Sequence, residues 1–189
     1  DNIKITVTAA STEKTYDGTA LTDEHVTVTG DLDTSLYEVK AEVEGSATHV
    51  GDNGTNKVKG YKIIDRVTQE DVTNSFDLSN VKLVNGKLSI NPAELTLTAG
   101  SEIFVYDGEE HSNKDVTPVG LVGSDAVKAE TKGTIKNVGK AKNEVGEVTF
   151  ISGKASDYKI NKVFGWLEVT KNDNIKITVT AASTEKTYD

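Results

Sequence analysis

The strongest constraint on this chain is that it repeats itself. Residues 1–17 and residues 173–189 are the same seventeen letters, DNIKITVTAASTEKTYD, which random sequence does not produce. The chain reads as one 172-residue period of a tandem array plus the start of the next period. An engineered duplication is the other source of such a copy. A weaker repeat lies inside the period. Ile5-Thr6-Val7-Thr8-Ala9 matches Leu95-Thr96-Leu97-Thr98-Ala99 at a shift of 90, and the same shift lays Tyr16-Asp17-Gly18 on Tyr106-Asp107-Gly108. Val39-Lys40-Ala41-Glu42 matches Val127-Lys128-Ala129-Glu130 at a shift of 88, and Val50-Gly51 then falls on Val138-Gly139. Gly86-Lys87-Leu88-Ser89-Ile90 resembles Gly165-Trp166-Leu167-Glu168-Val169. The expected organisation is a first unit over 1–91, a second over 92–172, and at 173–189 the opening strand of a third, incomplete unit. Pro92 fixes its own φ and holds Asn91 extended, so the first joint is expected to be short and stiff.

The residues within each unit favour strands. The chain holds 24 Thr and 22 Val, both suited to a pleated, half-buried surface. Alternation of apolar and polar residues is clear at Ile3–Thr8, Val26–Thr29, Tyr37–Glu44 and Leu95–Thr98, and further strands are expected at 87–90 and 165–169. Gly-Asp, Asp-Gly, Asn-Gly and Ser-Gly pairs punctuate them. No 12-residue window sustains a helical period, although Leu21–His25 and Val67–Val72 could each form one helical turn. The fold expected is all-β: two tandem small β-sandwich domains, immunoglobulin-like in the broad sense. The alternative is a β-grasp-like unit carrying a short helix.

Composition excludes several function classes. A net charge of −9 would repel a phosphate backbone, so no nucleic-acid partner is expected. The absence of Cys removes disulfides, thiol nucleophiles and zinc–thiolate sites. No apolar run reaches membrane-spanning length, so no membrane insertion is expected in this stretch. The sequence contains no Met and reads as a piece of something longer. No nucleophile elbow, P-loop or His-Glu-x-x-His is present, and the expectation is that the chain is not an enzyme and carries no cofactor or metal. His25, His49 and His111 read as solvated loop residues. An intramolecular Lys–Asn isopeptide bond is open to small β domains of this kind, and the spacing nominates no pair for it.

The motif that stands out is Tyr-Asp-Gly, at Tyr16-Asp17-Gly18 and Tyr106-Asp107-Gly108, with Tyr188-Asp189 beginning it again. Asp-Gly suits a tight turn needing a left-handed residue, and the Tyr ring is expected to lie over the edge of the fold with its hydroxyl on a backbone partner. Leu88-Ser89-Ile90-Asn91-Pro92-Ala93-Glu94-Leu95-Thr96-Leu97-Thr98-Ala99, followed by Val105-Tyr106-Asp107-Gly108, resembles the junction of YDG/MBG-type tandem repeat domains of bacterial cell-surface adhesin-like proteins. The second unit departs from that pattern: it ends Val169-Thr170-Lys171-Asn172 without Pro, and Phe104 stands where the first unit has Lys14. The resemblance implies an extracellular chain at a bacterial cell surface, attached to the wall through other parts. It implies a stalk or spacer whose partners are neighbouring repeats of the same chain, or else an adhesive module for a host glycan, mucin or matrix protein. It brings no catalytic residues. Pro92 and the single Trp, Trp166, are the residues expected at the joints between domains.

Overall fold

The computed structural model describes residues 2–189. Its secondary structure is 53% strand and 3% helix. In chain order the strands are β1 (Asn2–Ala9), β2 (Thr12–Thr15), β3 (Val26–Gly30), β4 (Tyr37–Glu44), β5 (Thr55–Asp65), β6 (Asp77–Val84) and β7 (Gly86–Asn91). They are followed by β8 (Ala93–Ala99), β9 (Glu102–Val105), β10 (Val116–Val119), β11 (Ala126–Thr131), β12 (Gly139–Asn143), β13 (Val145–Ser152), β14 (Tyr158–Val163) and β15 (Gly165–Thr170). The only helical segments among the described residues are single 3-10 turns at Thr73–Ser75 and Ala155–Asp157. Neither of the two helical turns read from the sequence forms. Leu21 makes a β-bridge to Ala47 instead, and Asp71 one to Ile64.

The sheets are ordered β3-β1-β6, β2-β7-β5-β4, β10-β8-β14, β11-β13 and β12-β15-β9. The first strand of the first repeat bends at Ala10–Ser11 and changes sheets. β1 runs parallel to β6, and β2, four residues on, runs parallel to β7 in the other sheet. The register carries straight through, with Thr8 opposite Val84 and Thr12 opposite Leu88. In the second repeat β9 runs parallel to β15 in the same way.

Where the paired strands change sheets, two backbones pass so closely that only glycine fits. A Cβ on Gly86 would lie 2.0 Å from the carbonyl oxygen of Ala10, and one on Gly165 would lie 2.3 Å from that of Gly100. This is the physical content of the glycine that opens each closing strand. The crossing is also stitched alike in both repeats: Lys87 N–H donates to Ser11 Oγ and Trp166 N–H to Ser101 Oγ, each at 3.0 Å.

Contacts divide the chain into two compact units, one of residues 1–96, 118–128 and 148–161, the other of residues 97–117, 129–147 and 162–189. In the first, alternate residues Ile3, Ile5, Val7 and Ala9 of β1 bury against Leu32 and against Val58 and Ile63 of β5. Val26 and Val28 of β3, Val39, Ala41 and Val43 of β4, and Leu78 and Val81 of β6 close around them. Two sheets thus share one core, which is why the opposite residues of β1, Lys4, Thr6 and Thr8, are left more exposed. In the second, Leu97, Ala99, Val145, Leu167 and Val169 are buried.

Residues 173–189 form no strand and are exposed throughout. The alternation of Ile175, Ile177 and Val179 that reads as a strand has no sheet to join.

Candidate functional site

Asp17 builds the turn that the Tyr-Asp-Gly motif was expected to make. Its Oδ1 accepts from Thr19 N–H at 2.9 Å, from the Thr19 hydroxyl at 2.7 Å and from Lys14 Nζ at 2.9 Å. The Lys14 ammonium, then the Thr19 groups, bring its carboxyl down to about 2. Gly18 and Gly108 follow with φ of +79° and +80°, a region that L side chains rarely adopt. In the second repeat Asp107 accepts from Glu109 N–H and contacts His111 Nε2 at 2.8 Å. Phe104, in the place of Lys14, stacks on His111 with ring centres 4.4 Å apart.

The turn places Tyr16 at the centre of a cluster in the first compact unit. Tyr16 is 6% exposed. Its ring lies against His49, 5.8 Å between centres, and meets Tyr158 edge to face at 5.6 Å. Its hydroxyl does not find the backbone partner expected from the sequence. It donates to Asp125 Oδ2 at 3.1 Å, the same oxygen that accepts the Tyr158 hydroxyl at 2.5 Å. Tyr158 in turn accepts from Val122 N–H at 2.9 Å and stacks on Phe150. A phenol that is buried and already donating to a carboxylate resists ionisation. Desolvation first, then Asp125, raise Tyr16 and push Tyr158 up to about 12.

A second carboxylate completes the cluster. Asp157, at the end of a 3-10 turn, is fully buried. Its Oδ1 accepts from Val50 N–H at 2.9 Å and its Oδ2 lies 2.7 Å from His49 Nδ1. The loop bearing His49 is itself held by Asp52, whose Oδ2 accepts from the N–H groups of Thr48 and His49. Both carboxylates are therefore satisfied by named donors, as burial requires. Tyr16, His49 and Val50 come from the first sequence repeat; Asp125, Asp157 and Tyr158 come from the second. The cluster fastens the two sequence repeats through the hydrogen bonds of Asp125 and Asp157.

Other expected positions are less engaged. Tyr106 is 38% exposed and Tyr188 fully exposed. Pro92 lies between β7 and β8. Trp166 is 46% exposed on β15, edge to face with Phe164. It lies opposite Lys142 of β12 and beside a shallow depression lined by Ser101, Glu102, Ile103 and Glu168. Of the histidines His25 is the exposed one, its Nδ1 2.7 Å from Asp23 Oδ1; His49 and His111 are packed on Tyr16 and Phe104.

Two buried residues carry no signal at the sequence level. Asn56 and Asn143 sit at equivalent places under the strand crossings. Asn56 Nδ2 donates to the carbonyls of Ala10 and Asp23; Asn143 Nδ2 donates to those of Gly100 and Asn113. Asn143 Oδ1 also accepts from Gly133 N–H, whereas Asn56 Oδ1 has no partner.

Among the described residues no group of three or more His, Asp or Glu is placed to hold a metal ion, and no helix is long and apolar enough to cross a membrane. No family model matches the chain, and no curated protein or solved structure matches it either.

Proposed function

We propose that this chain is a stalk or spacer segment of a bacterial cell-surface adhesin, holding a distal binding region away from the cell wall. In this reading its sequence repeats, 1–91 and 92–172, are two tandem small β-sandwich domains, with 173–189 opening a third. One observation carries the reading: the first and last strands of a repeat run side by side in the same direction, β1 with β6, β2 with β7 and β9 with β15. A chain built so comes in at one end of its domain and goes out at the other, which is what stringing domains into a spacer requires. The Tyr16 cluster supports it further, because its polar groups fasten one repeat to the next. The test is small-angle scattering on chains of one and of two periods. A maximum dimension that grows by a constant increment per repeat is expected; compaction to a single globule would overturn the reading.

A second reading rests on Trp166. In the first repeat the corresponding outer positions of the sheet are Lys87, Ser89, Glu13 and Thr55, all polar. In the second they are Trp166, Glu168, Ile103 and Lys142. An exposed indole flanked by carboxylates suits a sugar ring, which favours direct adhesion to a host glycan, mucin or matrix protein. Binding on a glycan or mucin array that is lost in Trp166→Ala would establish it; a blank array would leave the spacer alone.

A further inference from the structure

The two repeats end differently. The Tyr16 side of the first repeat is covered by Asp125, Asp157 and Tyr158, leaving Tyr16 6% exposed. The matching surface of the second repeat is open: Tyr106 is 38% exposed, and Val138, the counterpart of Val50, is 51% exposed. The register that pairs these residues also says what occupies the covering positions when a first repeat follows a second. Asp125, one residue before β11, answers to Tyr37 at the start of β4, by the match of Val39–Glu42 with Val127–Glu130. Asp157 and Tyr158, at the end of one 3-10 turn, answer to Ser75 and Phe76 at the end of the other.

Tyr37 and Phe76 meet edge to face at 5.2 Å, where Asp125 and Tyr158 share a hydrogen bond. Leu36, whose carbonyl accepts from Arg66 N–H, and Val67 are exposed. Asn137 stands in the place of His49. Tyr37 and Phe76 pack from one side on the core of the first unit and keep part of their surface open, while Leu36 and Val67, like Tyr106 and Val138, are exposed. Neither the surface around Tyr106 nor that around Tyr37 carries a carboxylate at the positions of Asp125 and Asp157.

We propose that the Tyr106–Val138 surface is a docking site for the Tyr37–Phe76 surface of a following copy of this chain. The proposal rests on the tandem-spacer reading. The occupant is fixed by the sequence itself: the letters after the second repeat are those that open the first, so in the recurring pattern a Tyr37–Phe76 surface comes next. The array then alternates two kinds of fastening. One is polar, with Tyr16, His49 and two buried carboxylates; the other is aromatic and aliphatic, with Tyr106, Val138, Tyr37 and Phe76.

The chain has no Cys, so introduced thiols meet no competitors. Val50 N–H lies 2.9 Å from Asp157 Oδ1, and the counterparts of these residues are Val138 and Ser75. In a chain of two consecutive periods carrying Val138→Cys in the first and Ser75→Cys in the second, mild oxidation is expected to form the disulfide readily. It should form far faster than in a control in which Val163→Cys replaces Val138→Cys. Equal rates, or no disulfide, would overturn the proposal. A second readout needs no substitution: hydroxyl-radical labelling of Tyr106 should fall in the two-period chain relative to the single-period chain, and unchanged labelling also overturns the proposal. Scattering from the same two-period chain reads the spacer separately, so an extended particle without the disulfide or the protection removes this docking and leaves the spacer standing.

Discussion

Asp125 receives two phenolic hydroxyls on one oxygen, and this sharing sets the response of the cluster to alkali. Tyr158 is raised from 10.0 to about 12 and Tyr16 is raised as well. A group whose folded pKa lies above its unfolded value stabilises fully below the unfolded value and loses that contribution as pH climbs through the folded one. Denaturant midpoints are therefore expected to hold to about pH 10 and to fall between about 10 and 12. Tyr158→Phe should flatten that fall while costing about 1–3 kcal/mol at neutral pH, since it removes a hydrogen bond to a charged acceptor. Urea titrations at stepped pH, with tyrosinate absorbance in parallel, read both. At the acid end Asp17 and Asp23 are each held near 2, Asp17 by Lys14 first and Asp23 by the Thr12 hydroxyl first. Their contribution is present above about pH 4 and is lost as pH drops toward 2. The contrast between equivalent tyrosines is a further check: Tyr16→Ala should cost about 3 kcal/mol or more, and the half-open Tyr106→Ala about 1 kcal/mol. The motif itself was legible in the sequence, and so was the turn chemistry of its glycine. Its partner was not: Tyr16 and Asp125 are separated by 109 residues, and nothing local marks Asp125 among the many acidic residues.

At the scale of elements, alternation placed β1, β3, β4, β7, β8 and β15 close to where they lie and left β2, β5, β6 and β9 to β14 unread. The apolar letters of β1, β4 and β8 face inward as their period of two requires. Pairing was hidden, because period tells which face is buried and not which strand lies alongside or in which direction. The sheet change at Ala10–Ser11 was hidden for the same reason, although its glycines were visible as letters. Gly86→Ala and Gly165→Ala should each destabilise by about 1–3 kcal/mol or more, since a Cβ would be driven into a carbonyl oxygen that the crossing cannot move aside. The two buried asparagines sharpen this. Asn143→Ala strands the Gly100 carbonyl and the Gly133 N–H, the Asn113 carbonyl keeping the Thr131 hydroxyl, whereas Asn56→Ala strands the carbonyls of Ala10 and Asp23 but also removes a buried oxygen that had no partner. At about 1–3 kcal/mol for each buried group left unpaired, the Asn143 variant should be the less stable of the two by chemical denaturation. The expected single helical turns failed because Leu21 and Asp71 were already committed to bridges with distant partners, an outcome that local propensity does not register.

At the scale of the whole molecule, the copied segment was the plainest letter pattern, and it forms no strand in the structure. Ile175, Ile177 and Val179 are exposed, so truncation after Asn172 should leave the denaturation midpoint within about 0.5 kcal/mol of the full chain. It should also reduce self-association at high concentration, because alternating apolar residues with unpaired backbone groups are a template for another chain; analytical ultracentrifugation reads this. The parallel pairing of first and last strands has one more consequence. Pulling a repeat by its two termini would draw β1 and β6 past one another lengthwise, so the ladder from Ile5–Val81 to Thr8–Val84 would bear the load all at once. The β2–β7 ladder, from Thr12–Leu88 to Thr15–Asn91, would share it. A tether loaded in shear yields only when many bonds break together, whereas one loaded at its edge unzips bond by bond. The first repeat would therefore hold its length under tension until these strand pairs fail as a group.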